Sequence, residues 1–123
     1  TGGGLLENIP RVLPDGCRAT INARGWELPP IFSYLQAGGQ LAPEEMARTF
    51  NCGIGMAVIV SADDAGAIID RLEGANGDIH RPGADIEDVY TIGRIESGPR
   101  GCTVSGQAGT WNSAEDWSVT HHA

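Results

Sequence analysis

The chain opens on Thr1-Gly2-Gly3-Gly4-Leu5-Leu6-Glu7-Asn8-Ile9-Pro10-Arg11, and these residues constrain its folding more than any other stretch. Three glycines directly ahead of a helix-compatible segment describe a loop feeding a helix start. Glycine permits positive φ and lets the main chain approach a neighbour or ligand closely. A helix start presents unpaired N–H groups and partial positive charge, which suit an anion. Most glycine turns before helices bind nothing, so the run by itself leaves a phosphate site and a plain turn both open. It is neither G-x-x-x-x-G-K-[ST] nor a complete G-x-G-x-x-G following a visible strand. The chain has no lysine at all, which removes a P-loop lysine. Beginning inside such a loop, without an initiator Met, the sequence is expected to be a piece of a larger protein.

At 123 residues the chain suffices for one domain with its own core. Sixteen acidic residues against eight arginines give a net charge of −8, which argues against nucleic acid as a partner. The longest apolar run, Met56-Ala57-Val58-Ile59-Val60, falls far short of the roughly 18 residues a membrane helix needs. Cys17, Cys52 and Cys102 are odd in number, widely spaced and without a C-x-x-C pair. They read as small apolar residues in a reducing compartment, with neither a disulfide framework nor a zinc site.

Along the chain, residues 5–12 predict a short helix weakened by Pro10 and ended by a turn at Pro14-Asp15-Gly16. Residues 17–21 alternate as a half-buried strand, and 22–25 read as a turn. Pro30 suits a first helical position, with Ile31, Phe32, Tyr34 and Leu35 as an apolar face ending at Gly38-Gly39. Pro43-Glu44-Glu45 starts another helix reaching about Thr49. Residues 55–61, apolar throughout, predict a strand buried on both faces. Ser61 and Asp64 resemble a capping box before a helix with Ala65, Ile68, Ile69 and Leu72 on one face. Residues 74–88 read as a long exposed loop, 89–95 as a strand interrupted by Gly93, and 102–104 as a short last strand. Beyond Gly106 little pattern remains, although Trp111 and Trp117 offer anchors. The fold class is α/β in the layered α+β sense, a mixed sheet packed by helices.

Three blocks stand together: residues 1–14; Trp26-x-x-Pro29-x-Ile31-Phe32-x-x-Leu35-Gln36-x-x-Gly39; and Glu45-Met46-x-Arg48-Thr49-Phe50-Asn51-x-Gly53-Ile54-Gly55-Met56. With Tyr90-x-Ile92-Gly93-Arg94-Ile95 they resemble, in order and spacing, the phosphoribosylformylglycinamidine cyclo-ligase, or AIR synthetase, family. The resemblance implies a cytoplasmic, homodimeric enzyme of purine biosynthesis. Such an enzyme converts formylglycinamidine ribonucleotide and ATP to aminoimidazole ribonucleotide, ADP and phosphate, with Mg²⁺. ATP would activate the formyl oxygen as an iminophosphate, and the amidine side would supply the ring-closing nitrogen.

In that family an N-terminal α/β domain carries most ATP and metal ligands, and the active site lies between it and the C-terminal domain. By this resemblance residues 1–123 form most of the C-terminal domain, incomplete at its N-terminus. The N-terminal domain and a histidine that normally precedes the Thr-Gly-Gly-Gly run are absent. The chain alone is therefore expected to be inactive and, with an uncovered sheet edge, poorly soluble. The loop at 74–88 is longer than the family's and reads as a tolerated surface insertion.

The resemblance implies that Gly2, Gly3 and Gly4 donate main-chain N–H groups to a substrate or nucleotide phosphate, with Thr1 adding a hydroxyl. Asn8 is the polar side chain best placed to touch ligand, while Glu7 reads equally as solvated or functional. Asn51 reads equally as a ligand contact or as a turn residue bonding its own backbone. Arg11 and Arg48 are candidate anion contacts, Arg48 being the more natural partner of Glu44 or Glu45. Asp63 and Asp64 are helix-start acids, not metal ligands. His80, His121 and His122 read as solvated, and no catalytic residue is assigned. Related kinases and synthetases of the superfamily are distant alternatives, because they carry an Asp-Gly-Gly-Leu type loop and lack Arg48-Thr49-Phe50-Asn51. A reading of another class is a non-catalytic phosphate-binding or assembly module.

Overall fold

The computed structural model describes residues 2–76, 88–106 and 109–113, with the backbone alone at 75 and 76. The described residues fall into two compact units, one within Thr1–Met56 and Ile92–Ala123, the other within Ala57–Thr91.

The larger unit is built on a mixed four-stranded sheet in the order β2-β1-β3-β4. Here β1 is Cys17–Asn22, β2 Gly93–Ser97, β3 Gly101–Gly106 and β4 Gly109–Asn112. The central strands β1 and β3 run parallel, with Ala19 opposite Cys102 and Ile21 opposite Val104. Strands β2 and β4 flank them antiparallel.

Period-two alternation divides the sheet into two chemically distinct faces. One presents Ala19, Ile21, Cys102 and Val104, all buried, with Trp111 packed alongside. The other carries Arg18, Thr20, Thr103 and Asn112 as a bonded polar surface. The Arg18 guanidinium donates to Thr103 Oγ1 at 2.7 Å and to Asn112 Oδ1 at 2.9 Å. On β2, Arg94 and then Thr20 bond the exposed Glu96 carboxylate and hold it below its usual range.

The apolar face is covered by the first helix, α1 (Gly4–Asn8), and the 3-10 turn Ile9–Val12 that continues it. Leu5, Leu6, Ile9 and Leu13 seat there. Pro10 has no N–H to continue an α-helical ladder, so the chain tightens into i→i+3 bonding, with Leu13 N–H on the Pro10 carbonyl at 3.1 Å. Leu6 is fully buried, and that burial contributes about 2 kcal/mol.

Helix α2 (Pro30–Gly39) begins at Pro30 as its sequence predicts. It buries no residue; Phe32 meets Phe50 edge-on at 6.0 Å, while Ile31, Tyr34 and Leu35 stay exposed. Helix α3 (Pro43–Thr49) buries Met46. In the second unit α4 spans Ala62–Asn76, with Ala65, Ile68 and Ile69 half-buried and Leu72 more open. Ser61 and Asp64 bond side chain to side chain at 2.7 Å, in place of the reciprocal backbone bonds of a capping box.

Four sequence expectations need correction. Residues 55–61 join no sheet: the segment has no regular secondary structure, Met56 is 84% exposed and Val58 58%. An apolar run becomes a buried strand only where neighbours pair and cover it, and the described residues supply none. Residues 89–92 are not strand, and Gly93 begins β2 where 89–95 was expected as one element. Gly93 is required there because a Cβ would run into the Thr20 carbonyl of β1. Strand β3 is not the last, since β4 follows it with Trp111. Helix α4 reaches Asn76, two residues into the expected loop. Residues 77–87, Thr1, His80, Trp117, His121 and His122 lie outside the described residues.

Candidate functional site

The glycine run forms a tight turn at the head of α1. Gly3 has φ 92° and Gly4 φ 54°, both in the left-handed region that side chains avoid. A Cβ on Gly3 would stand 2.6 Å from Glu7 Cβ. One on Gly4 would stand 2.5 Å from the Phe50 carbonyl and closer still to that of Ala47. Gly4 is thus the point where α1 meets the end of α3 backbone to backbone. At Gly2, in contrast, a Cβ would meet no atom within 4 Å.

Asn8 braces this turn from inside the chain. Its side-chain amide donates to the Gly2 carbonyl at 3.1 Å and to the Gly4 carbonyl at 2.8 Å. No described peptide bond is cis, and in a trans peptide N–H and C=O point in opposite directions. The N–H groups of Gly3 and Leu5, which share those two peptides, therefore point away from Asn8. Sequence reasoning placed Asn8 at a ligand; the geometry gives its amide a role in shaping the loop. The signal was the spacing, since a side chain four residues after Gly4 lies over it in one helical turn.

Glu7 and Arg48 adjoin the same turn. The Glu7 side chain is only 12% exposed, and its carboxylate lies 3.9 Å from Arg48 Nη1. Arg48 also pairs with Glu44 at 3.2 Å, as expected, and donates to the Asn112 carbonyl of β4 at 3.4 Å. One guanidinium thus touches α1, α3 and β4, and it offsets the negative charge of the Glu7 carboxylate.

Asn51 comes next to the glycine turn through the chain: its predecessor Phe50 supplies the carbonyl that faces Gly4. Its Oδ1 accepts from Gly53 N–H at 2.9 Å and its carbonyl from Ile54 N–H at 3.1 Å. This is an Asx turn, one of the two roles the sequence left open for Asn51. Cys52 is carried at φ 53°, and its carbonyl accepts from the Trp26 indole N–H at 2.9 Å. Burial raises the Cys52 thiol above its ordinary value, the opposite of what a nucleophile needs. The structure therefore brings Gly2, Gly3, Gly4 and Asn8 into one turn, with the Asn51 turn adjoining it. Thr1 is outside the described residues. Among the described residues, no three His, Cys, Asp or Glu side chains are grouped to hold a metal ion.

Residues 1–102 match the family described as AIR synthase related protein, C-terminal domain. A phosphoribosylformylglycinamidine cyclo-ligase of Aromatoleum aromaticum is 50% identical over 101 residues, covering 82% of this chain and 26% of that protein. Its namesake from Paraburkholderia xenovorans is 58% identical over 101 residues, with the same two coverages. One from Neisseria meningitidis is 53% identical over 95 residues, 77% of this chain and 25% of that protein. The chain thus spans about a quarter of the length of the curated relatives it matches.

Proposed function

The chain belongs to the AIR synthase related protein C-terminal domain family, and from that premise we propose that it is the C-terminal part of a phosphoribosylformylglycinamidine cyclo-ligase. The reaction is the ATP-dependent closure of the imidazole ring of formylglycinamidine ribonucleotide, giving aminoimidazole ribonucleotide, ADP and phosphate in purine biosynthesis. The supporting observation is the glycine turn, in which Asn8 holds two carbonyls and so leaves the N–H groups of Gly3 and Leu5 pointing away from its own amide. Donors fixed before a ligand arrives cost no reorganisation when charge is bound, which is what a phosphate site needs.

On this reading Gly2 leaves room for the phosphate, Gly3 and Leu5 donate to it, and Asn8 positions them. Glu7 and Arg48 keep local charge balanced, and Asn51 shapes the adjoining turn. The described residues do not form a metal centre, and no step of this reading passes through one. Mg²⁺ and most ATP contacts are assigned to the three-quarters of the relatives' length that the chain does not span. The working form is then a cytoplasmic homodimer of the complete enzyme, and the 123-residue chain alone is inactive.

A purine-auxotrophic strain lacking its own cyclo-ligase tests this directly. The chain, grafted in place of the matching segment of the Paraburkholderia xenovorans relative, is expected to restore growth without purines, and the chain expressed alone is not. A folded graft that fails to support growth favours the alternative, a non-catalytic phosphate-binding or assembly module of the same superfamily.

A further inference from the structure

The family match ends at Cys102, yet the sheet does not. All of β3 after Cys102 and all of β4 lie past the matched residues, and they are keyed into the unit by specific bonds. Ser113, directly after β4, is buried. Its hydroxyl oxygen accepts from the Cys102 N–H at 2.9 Å, and its own N–H donates to the Cys102 carbonyl at 2.8 Å. Asn112 Oδ1 accepts from both Thr103 Oγ1 at 2.7 Å and Arg18 Nη2 at 2.9 Å, tying β4 across β3 to β1. Gly101 has the shape this closure demands, since a Cβ there would lie 2.8 Å from Ser113 Oγ and closer still to the Arg18 guanidinium. On the opposite face Trp111 packs on the core.

From these contacts we infer that β4 and Ser113 form a clasp, particular to the part of the chain beyond the family match, that shuts the β3 edge and seals Cys102 into the core. Strand edges with open N–H and C=O groups invite pairing by other chains, and a keyed strand takes up the pairing positions of β3 from within the chain. The clasp can open locally while the rest of the unit stays folded, because beyond β3 its side-chain bonds reach only Arg18 and, at 3.4 Å, Arg48.

Cys102 reports the state of the clasp. It is fully buried, whereas Cys17 and Cys52 are half-buried. Thiol labelling of all three, with peptide-resolved hydrogen exchange over residues 101–106, is compared among the unaltered chain, Ser113→Ala and Ser113→Thr. Losing one buried hydrogen bond is expected to speed Cys102 labelling about tenfold in Ser113→Ala, with matching loss of β3 protection. Cys17 and Cys52 keep their rates, and Ser113→Thr, which retains the hydroxyl, stays close to the unaltered chain. Should Ser113→Ala fail to fold, Asn112→Ala opens the exposed end of the clasp and is read in the same way. Unchanged Cys102 labelling and β3 protection overturn the inference. So does an equal acceleration at all three cysteines, which means the unit opens as a whole.

Discussion

The Asn8 side-chain amide donates to the Gly4 carbonyl at 2.8 Å, bonding α1 to its own first residue. The same amide reaches Gly2, so one side chain sets the direction of two peptide groups in a stretch where glycine sets none. Asn8→Ala is expected to destabilise the chain by about 1–2 kcal/mol, the ordinary cost of losing part-buried hydrogen bonds. Asn8→Asp is expected to be worse, because a carboxylate cannot donate and would face two carbonyl oxygens. Urea unfolding of the three proteins checks the order.

Gly2 and Gly4 stand either side of Gly3 in the glycine run but are opposite in tolerance. At Gly4 an added methyl group meets two carbonyl oxygens at a positive φ, so Gly4→Ala is expected to cost at least about 3 kcal/mol or prevent folding. Gly2→Ala meets nothing and is expected to stay within about 0.5 kcal/mol of the unaltered chain. Thermal unfolding of the pair separates packing glycines from a glycine kept for access.

Burial pushes the Cys102 thiol up to about 12, against a slight opposing pull from Arg18. Between the ordinary value of 9.0 and that figure, the unfolded chain loses a proton that the folded chain keeps. The folded state then binds more protons, so stability falls as pH rises, by about 1.4 kcal/mol per pH unit from this one group. Below pH 8 the group contributes no slope. Urea midpoints at pH 7, 9 and 10 should show the decline, and Cys102→Ala should remove this part of it.

Arg48 joins Glu7, Glu44 and the Asn112 carbonyl. Arg48→Lys cannot span three partners in a planar fork and is expected to lose about 0.5–1 kcal/mol, with Arg48→Ala slightly worse. Most of the loss should vanish from the difference between the proteins in 1 M salt, where exposed pairs are screened. Chemical denaturation with urea at two salt concentrations measures it.

Local chemistry was readable wherever the residues that decide it lie close in sequence. Pro10 announces the tightening of α1, Pro30 the start of α2, and the alternation at 17–21 the strand β1, because each acts on its own turn or pleat. Residues 55–61 failed for the converse reason. Their apolar character states a demand for burial on two faces, and only partners distant in sequence can meet it. Strand β4 was missed because Gly109-Thr110-Trp111-Asn112 is too short to show a period, and its place is decided by Arg18 and Thr103. In the candidate site the glycines were legible as a turn, while their separate reasons were not. Gly4 answers to Ala47 and Phe50, more than forty residues away, and no local pattern carries that.

The most direct measurement is ATP-dependent formation of aminoimidazole ribonucleotide by the chain joined to the preceding portion of the Paraburkholderia xenovorans relative, beside the same enzyme with Gly2→Val. The joined enzyme should turn over. The Val side chain, which no packing opposes at Gly2, should lower kcat/KM by about 100-fold by displacing the phosphate while leaving the fold intact. A folded joined enzyme without turnover would contradict the cyclo-ligase reading, and a fully active Gly2→Val enzyme would remove the glycine turn from the site.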